Sequence, residues 1–188
     1  MNKMSTKKLV LAAILTALVI ILQLIGQFIR FGTVSISLVL LPIVIGAATC
    51  GVGVGAWLGF VFGAVVLCQA DTQFFYAMSI PGTIITVLVK GTMCGLAAGY
   101  VYKLIEKKNR YAAVIAAAIT CPVVNTGIFL IGSVIFFMDW VTAEAAGRNL
   151  LIYMIISLVG INFLAELISN IVLSPIVLRL LNINDKAQ

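Results

Sequence analysis

The sequence predicts an all-α integral membrane protein: a bundle of six transmembrane helices with both termini cytoplasmic. Three observations carry that expectation. Hydrophobic residues make up 63% of the 188-residue chain and charged residues only 10%, with a mean hydropathy of +1.21. A soluble domain is nearer half apolar and a quarter charged, and a chain this small cannot hide such an excess from water. Second, the apolar residues come in long runs. One crossing takes about 20 residues, so the chain has room for about six with short loops. Third, the cations are unevenly distributed among the connections.

The first expected span is Leu9 to Ile29. A signal peptide has a shorter apolar core and a small-residue cleavage site. This run ends in Gln27-Phe28-Ile29-Arg30 instead, so it reads as a retained span. Arg30 to Ser35 is a short connection containing Gly32 and Thr33. The second span, Ile36 to Cys50, is short and interrupted by Pro42. It is expected to be irregular and covered by neighbours. Gly51 to Gly55 reads as a tight turn and Gly55 to Leu67 as the third span. A polar loop follows from Gln69 to Ile80, carrying Phe74, Phe75 and Tyr76. Pro81 suits the first turn of a fourth helix, which is expected to end near Tyr102. Lys103 to Arg110 is a charged hinge. The fifth span is Tyr111 to Met138, with Pro122 inside it. Asp139 to Arg148 reads as a polar loop with Trp140 at the interface. The sixth span, Asn149 to Leu181, exceeds what a bilayer requires and should tilt or extend into water. All of residues 1–188 form one transmembrane domain in this reading.

With both termini inside, Lys3, Lys7, Lys8, Lys103, Lys107, Lys108, Arg110, Arg179 and Lys186 all face the cytoplasm. Only Arg30 and Arg148 face out, and Lys90 lies within a span. Such a bias is the signature of orientation in a membrane protein. The net charge of +6 therefore speaks to topology, and no nucleic-acid partner is expected.

Absences exclude several chemistries. The chain has no histidine, which removes imidazole metal sites and histidine acid–base catalysis. The stretch Val-Lys-Gly-Thr around Lys90 lacks the glycine loop of a nucleotide-binding motif. Cys50, Cys68, Cys94 and Cys121 are single residues in or beside apolar runs, without a paired spacing, and read as small hydrophobes. No metal, cofactor or catalytic residue is expected.

Small residues recur at helical spacing. Gly51, Gly55, Gly59 and Gly63 form one ladder, and Gly91, Gly95 and Gly99 a second. Such ladders let backbones approach closely, which reads first as internal packing and otherwise as a partner interface or a face that slides. Ala13 and Ala17 make a small-residue face on the first span, with Ala12 and Thr16 beside it.

Ionisable residues inside a span are functional candidates by default. Lys90 lies about 13 Å into the fourth span at 1.5 Å per residue. Glu166 is deep in the sixth span, with Asn162 one turn before it and Asn170 one turn after, on one face. Asn125 and Thr126 follow Pro122, whose ring frees the Ala118 carbonyl and loosens the helix. Irregular backbone of this kind accompanies many membrane solute sites. Two readings fit, and they overlap. Lys90 and Glu166 form a buried ion pair with Asn125 as interhelical glue, or the fourth, fifth and sixth spans line a solute pocket.

Three segments carry a family resemblance: Lys7-Lys-Leu-Val-Leu-Ala-Ala-Ile-Leu-Thr-Ala17, the run Arg30 to Gly46, and Cys121-Pro-Val-Val-Asn-Thr-Gly-Ile-Phe129. They resemble the substrate-binding S components of energy-coupling factor (ECF) transporters, and the likeness covers nearly the whole chain. It implies six helices and high-affinity vitamin binding at the extracellular side of a bacterial cytoplasmic membrane. It also implies docking onto a transmembrane scaffold subunit that couples to two ATPase subunits, and toppling of the S component to release vitamin inward. Ala13 and Ala17 match the docking motif. The loops Arg30 to Ser35, with Thr33, and Gln69 to Ile80 match the segments that close over substrate. Lys90, Asn125, Thr126, Asn162 and Glu166 then line the pocket. Lys90 and Arg30 point to an acidic or hydroxyl-bearing ligand, pantothenate before folate or niacin. A large flat ring such as riboflavin would want a tryptophan-rich pocket, which Trp57 and Trp140 do not supply. The competing classes are a stand-alone secondary carrier, which normally shows an internal repeat that this sequence lacks, and a structural partner protein, which leaves the midplane polar groups unexplained.

Overall fold

The structure, a computed structural model, describes residues 5–26, 30–31, 34–35 and 38–186. It is helical almost throughout, as a chain must be where no water satisfies the backbone. The order is α1 (Thr6–Gly26), a two-residue antiparallel pair β1 (Arg30–Phe31) and β2 (Val34–Ser35), α2 (Leu40–Cys50), α3 (Val52–Leu67), α4 (Ala70–Met78), α5 (Ile80–Ile105), α6 (Arg110–Phe136), α7 (Met138–Ala145), α8 (Leu150–Ile152), a π-helical segment (Tyr153–Leu158) and α9 (Gly160–Lys186).

Among the described residues, α1, α5, α6 and the stretch Asn162–Leu181 of α9 are long and apolar enough to cross a membrane. The α3–α4 pair, bent by 80°, makes a fifth crossing if counted as one. The expected six would need α2 as well. That helix has 11 residues, about 17 Å against a hydrocarbon core of about 30 Å. It is short because it is interior: Leu40, Pro42, Ile43, Val44, Ile45, Gly46 and Ala47 are buried, and it packs on α1, α3, α5, α6 and α9.

The bundle is apolar outside as well as in. α1 buries Ala12, Leu15 and Val19 but exposes Leu9, Val10, Ile14, Leu18 and Ile21. α9 likewise exposes Leu164, Ile168, Val172 and Ile176. A soluble protein avoids such a continuous apolar surface; lipid is its natural solvent. The chain is a multi-pass membrane protein.

The two glycine ladders meet each other, as expected of internal packing. A Cβ on Gly55 would lie 2.7 Å from the Gly95 carbonyl oxygen, and one on Gly63 2.8 Å from that of Val87. A Cβ on Gly59 would collide with the Gly91 carbonyl. Backbone therefore packs directly on backbone along the α3–α5 crossing.

Several boundaries differ from the sequence reading. The turn expected over 51–55 shrinks to Gly51, whose φ of +105° only glycine adopts easily, and α3 resumes at Val52. The expected loops 69–80 and 139–148 contain helices α4 and α7. Ser79 caps α5, accepting from the Gly82 amide at 3.2 Å, with Pro81 in the first turn. α5 runs on to Ile105, and Asn109 caps α6 by accepting from the Ala112 amide at 3.0 Å. α6 continues through Pro122. The expected sixth span is broken by the π-helical segment and Val159 before α9 begins.

The bundle has two distinct ends. At one, Cys50 Sγ lies 3.7 Å from the Lys8 carbonyl oxygen, and Tyr111 and Arg179 line a common cleft. That end gathers the starts of α1 and α6, the α5–α6 hinge and the last turns of α9, and hence Lys7, Lys8, Lys103, Lys107, Lys108, Arg110 and Arg179. The other end carries α4 and α7.

Candidate functional site

The glycine crossing sets the site. Lys90 precedes Gly91, so the close α3–α5 contact decides where its side chain goes. The Lys90 ammonium lies 5.2 Å from the centroid of Phe129 on α6 and 6.0 Å from that of Phe62 on α3. A cation over an aromatic face is worth about 0.5–2 kcal/mol, more where water is excluded.

Lys90, Asn125, Thr126, Asn162 and Glu166 line one cavity of about 210 Å³, with Phe129, Val159 and Phe163. The five midplane residues of the sequence reading thus come together. The reason is helical period: Asn125 and Phe129 are four apart on α6, Asn162 and Glu166 four apart on α9, so each pair shares a face. Asn170 continues that face but is buried outside the cavity, at 2% exposure. Lys90 and Glu166 act on each other electrostatically across this lower chamber. The Asn125 side chain is placed against the Glu166 carboxylate, while Asn125 Oδ1 is buried without a hydrogen-bond partner.

A second cavity of about 220 Å³ lies toward the α4–α7 end. Lys90 and Phe129 line this upper chamber too, so they stand between the two. Thr83, Thr86, Asp71, Phe75 and Phe137 form other parts of its wall. An aromatic cluster roofs it. Phe75 lies 5.9 Å from Phe129, 5.3 Å from Phe137 and 5.7 Å from Trp140, and Phe74 lies 5.5 Å from Trp140. α4 is tied in place beneath this cluster. Thr72 donates to the Val66 carbonyl at 2.6 Å and Tyr76 to that of Leu67 at 3.1 Å. Gln69 Nε2 donates to the Gln23 carbonyl at 3.0 Å, and Gln23 Nε2 to Gln69 Oε1 at 2.8 Å.

Other expected residues fall elsewhere. The backbone of Arg30 pairs with Ser35 in the small strand pair, but its side chain and Thr33 lie outside the described residues. Ala13 and Ala17 are exposed on α1. Ala13 borders an open cleft of about 810 Å³ with Ala12, Thr16, Val52 and Trp57, whose indole donates to Thr16 Oγ1 at 3.2 Å. The Ala12 face instead turns into the bundle.

Sequence reasoning missed Phe129, Phe75, Phe163 and Thr86. Two were within reach: Phe129 is one helical turn from Asn125, and Thr86 one turn from Lys90. Phe75 needed the fold of α4. The sequence reading set aside a tryptophan-rich pocket and did not anticipate aromatic walls of another kind. Phenylalanines supply them, and Trp140 sits on helix α7 behind Phe75 rather than in a loop.

A lipid-facing helical bundle that encloses a small polar cavity with aromatic walls is the architecture of a membrane solute-binding subunit. The chain belongs to the ECF transporter substrate-specific component family, whose model matches residues 7–178. It is accordingly a transporter subunit rather than an enzyme, with a small-molecule substrate and ECF-module partners. No curated protein and no solved structure matches the chain significantly.

Proposed function

We propose that the chain is the vitamin-binding S component of an ECF-type ABC importer in a bacterial cytoplasmic membrane, acting as one domain over residues 1–188. The observation that carries this reading is the cavity where Lys90, Asn125, Thr126, Asn162 and Glu166 meet, in a chain of this family. Gathering of the basic residues at one end supports the cytoplasmic orientation of that end and of both termini. Six crossings then comprise α1, the interior α2, the α3–α4 pair, α5, α6 and α9. The chambers lie toward the extracellular side, under α4, and the loop with Arg30 and Thr33 serves to close over the substrate. Exposed Ala13 and Ala17 dock on the transmembrane scaffold subunit, and two partner ATPase subunits hydrolyse ATP.

Pantothenate is the substrate that suits the walls best. Its carboxylate answers the Lys90 ammonium, its hydroxyls and amide answer Asn125, Asn162 and Glu166, and its methyl groups answer Phe129. Each chamber alone is smaller than the roughly 300–1,000 Å³ of typical ligand pockets, and the two joined reach it. That size favours a compact acid over folate or riboflavin. The test is purification of the intact chain alone, mass spectrometry of any co-purified small molecule, and calorimetric titration with pantothenate against folate, niacin and riboflavin. Stoichiometric pantothenate binding is expected. Tight riboflavin binding would remove the acid reading, and binding of no small molecule would remove the solute-binding role.

A further inference from the structure

Among the described residues, one buried hydroxyl departs from what its neighbours do. A helical Ser or Thr in apolar surroundings bonds back to a carbonyl one turn earlier. Thr16, Thr49, Thr83 and Thr120 donate to the carbonyls of Ala12, Ile45, Ser79 and Ala116 at 2.7–2.8 Å, and Ser133 to that of Phe129 at 2.9 Å. Thr86 Oγ1 has no partner, although the residue is only 3% exposed. It lines the upper chamber, one turn along α5 from Lys90. Across the site, Asn125 Oδ1 is the orphan of the lower chamber, on a residue 6% exposed, while the unpartnered Trp140 Nε1 and Asn170 Nδ2 belong to residues that line neither chamber. Leaving a buried polar atom unpaired is costly, and each such atom asks for a partner.

The two orphans differ in chemistry. Thr86 can donate, and it lines the same chamber as Lys90, its side chain packed on Gly132 of α6; two donor-bearing residues in one chamber wall call for an acceptor, best a carboxylate. Asn125 Oδ1 only accepts, and it stands beside the Glu166 carboxylate, so that chamber calls for donors. Phe129 forms an apolar wall common to both chambers. We infer that the site binds a small hydroxy- or amido-acid lengthwise. Its carboxylate lies in the upper chamber on Lys90 and Thr86, its hydroxyl or N–H donors in the lower chamber on Asn125 and Glu166, and its spacer against Phe129. Thr86 is thereby a specificity-determining residue for the acid group. Each chamber also has an acidic residue in its wall, Asp71 in the upper and Glu166 in the lower, so the direction rests on the donor Thr86 above and the acceptor Asn125 Oδ1 below. The inference rests on the solute-binding reading above and adds to it a ligand class and a direction.

The experiment compares an acid with its neutral counterpart: calorimetric titration of the intact purified chain with pantothenate and with pantothenol, in which an alcohol replaces the carboxylate. The wild type should prefer the acid. Thr86→Val, isosteric but without the hydroxyl, should lose about tenfold in affinity for pantothenate and leave pantothenol within about twofold. Thr86→Ser should match the wild type. Asn125→Leu should weaken both compounds alike, because they share the donor end. Thermal unfolding of each variant checks folding, and Thr86→Ala carries the comparison if Thr86→Val does not fold. Equal losses for acid and alcohol, or no loss with either, would overturn the assignment. Failure of the wild type to bind either compound would overturn the hydroxy- or amido-acid ligand class, whereas co-purification of a different solute would still leave the solute-binding reading standing.

Discussion

Replacing Lys90 by Met tests the centre of the site. The ammonium is the one charge bordering both chambers together with Phe129, and it faces Glu166 electrostatically. Met keeps the length and apolar bulk of the stem and removes only the charge. Two losses follow. The contact with Phe129 at 5.2 Å disappears, and the carboxylate loses its counter-charge. Truncating one member of a buried charge pair costs about 2–5 kcal/mol, much of it from stranding the other member. At 1.4 kcal/mol per tenfold, affinity for pantothenate should fall about 30-fold or more. Lys90→Arg should also bind less well, because a planar fork between Phe129 and Phe62 does not replace a point donor. Adding Glu166→Gln to Lys90→Met should relieve the stranded carboxylate and recover thermal stability without recovering acid binding. Calorimetric titration and thermal unfolding of the purified variants measure these effects. Unchanged pantothenate affinity in Lys90→Met would refute the argument and leave the lysine a structural residue.

Three further outcomes are expected. In a background without the four native cysteines, a cysteine at Lys107 should be labelled only from the cytoplasmic side and one at Thr142 only from outside; both positions are exposed, and the reverse pattern contradicts the topology. Ala13→Trp with Ala17→Trp should abolish transport by the assembled complex while vitamin binding to the isolated chain stays nearly intact; unaltered assembly and uptake would move the docking face elsewhere. Gly59→Ala places a methyl group against the Gly91 carbonyl, so α3 and α5 must separate. The overpacking should cost about 1–3 kcal/mol and lower the thermal midpoint, whereas Gly127→Ala, with nothing within 4 Å of the new Cβ, should be neutral or stabilising. Equal midpoints for these two variants would count against the backbone-on-backbone crossing.

Much of this protein was legible in its residue order, for reasons of local chemistry. Composition sets membrane residence, because surplus apolar surface needs lipid. The ladders Gly55-Gly59-Gly63 and Gly91-Gly95-Gly99 announce a close crossing, since four-residue spacing lines one helix face whatever that face meets. The same period places Asn162 with Glu166 and Asn125 with Phe129. Tertiary structure decided what these faces meet. Nothing local to 40–50 says that this segment is an interior helix too short to span alone; that depends on the five helices packed around it. Nothing in Gln69-Ala-Asp-Thr-Gln73 says that the stretch folds as a helix and sends Phe75 into a roof with Phe137 and Trp140, because those partners lie more than 60 residues away. The orphan state of Thr86 was equally hidden. A threonine one turn from a lysine is ordinary in sequence, and only packing shows that its hydroxyl, unlike that of Thr83, finds no carbonyl. Helical period is local and can be read from spacing; burial and partnership are sums over distant segments, and only the folded bundle evaluates them.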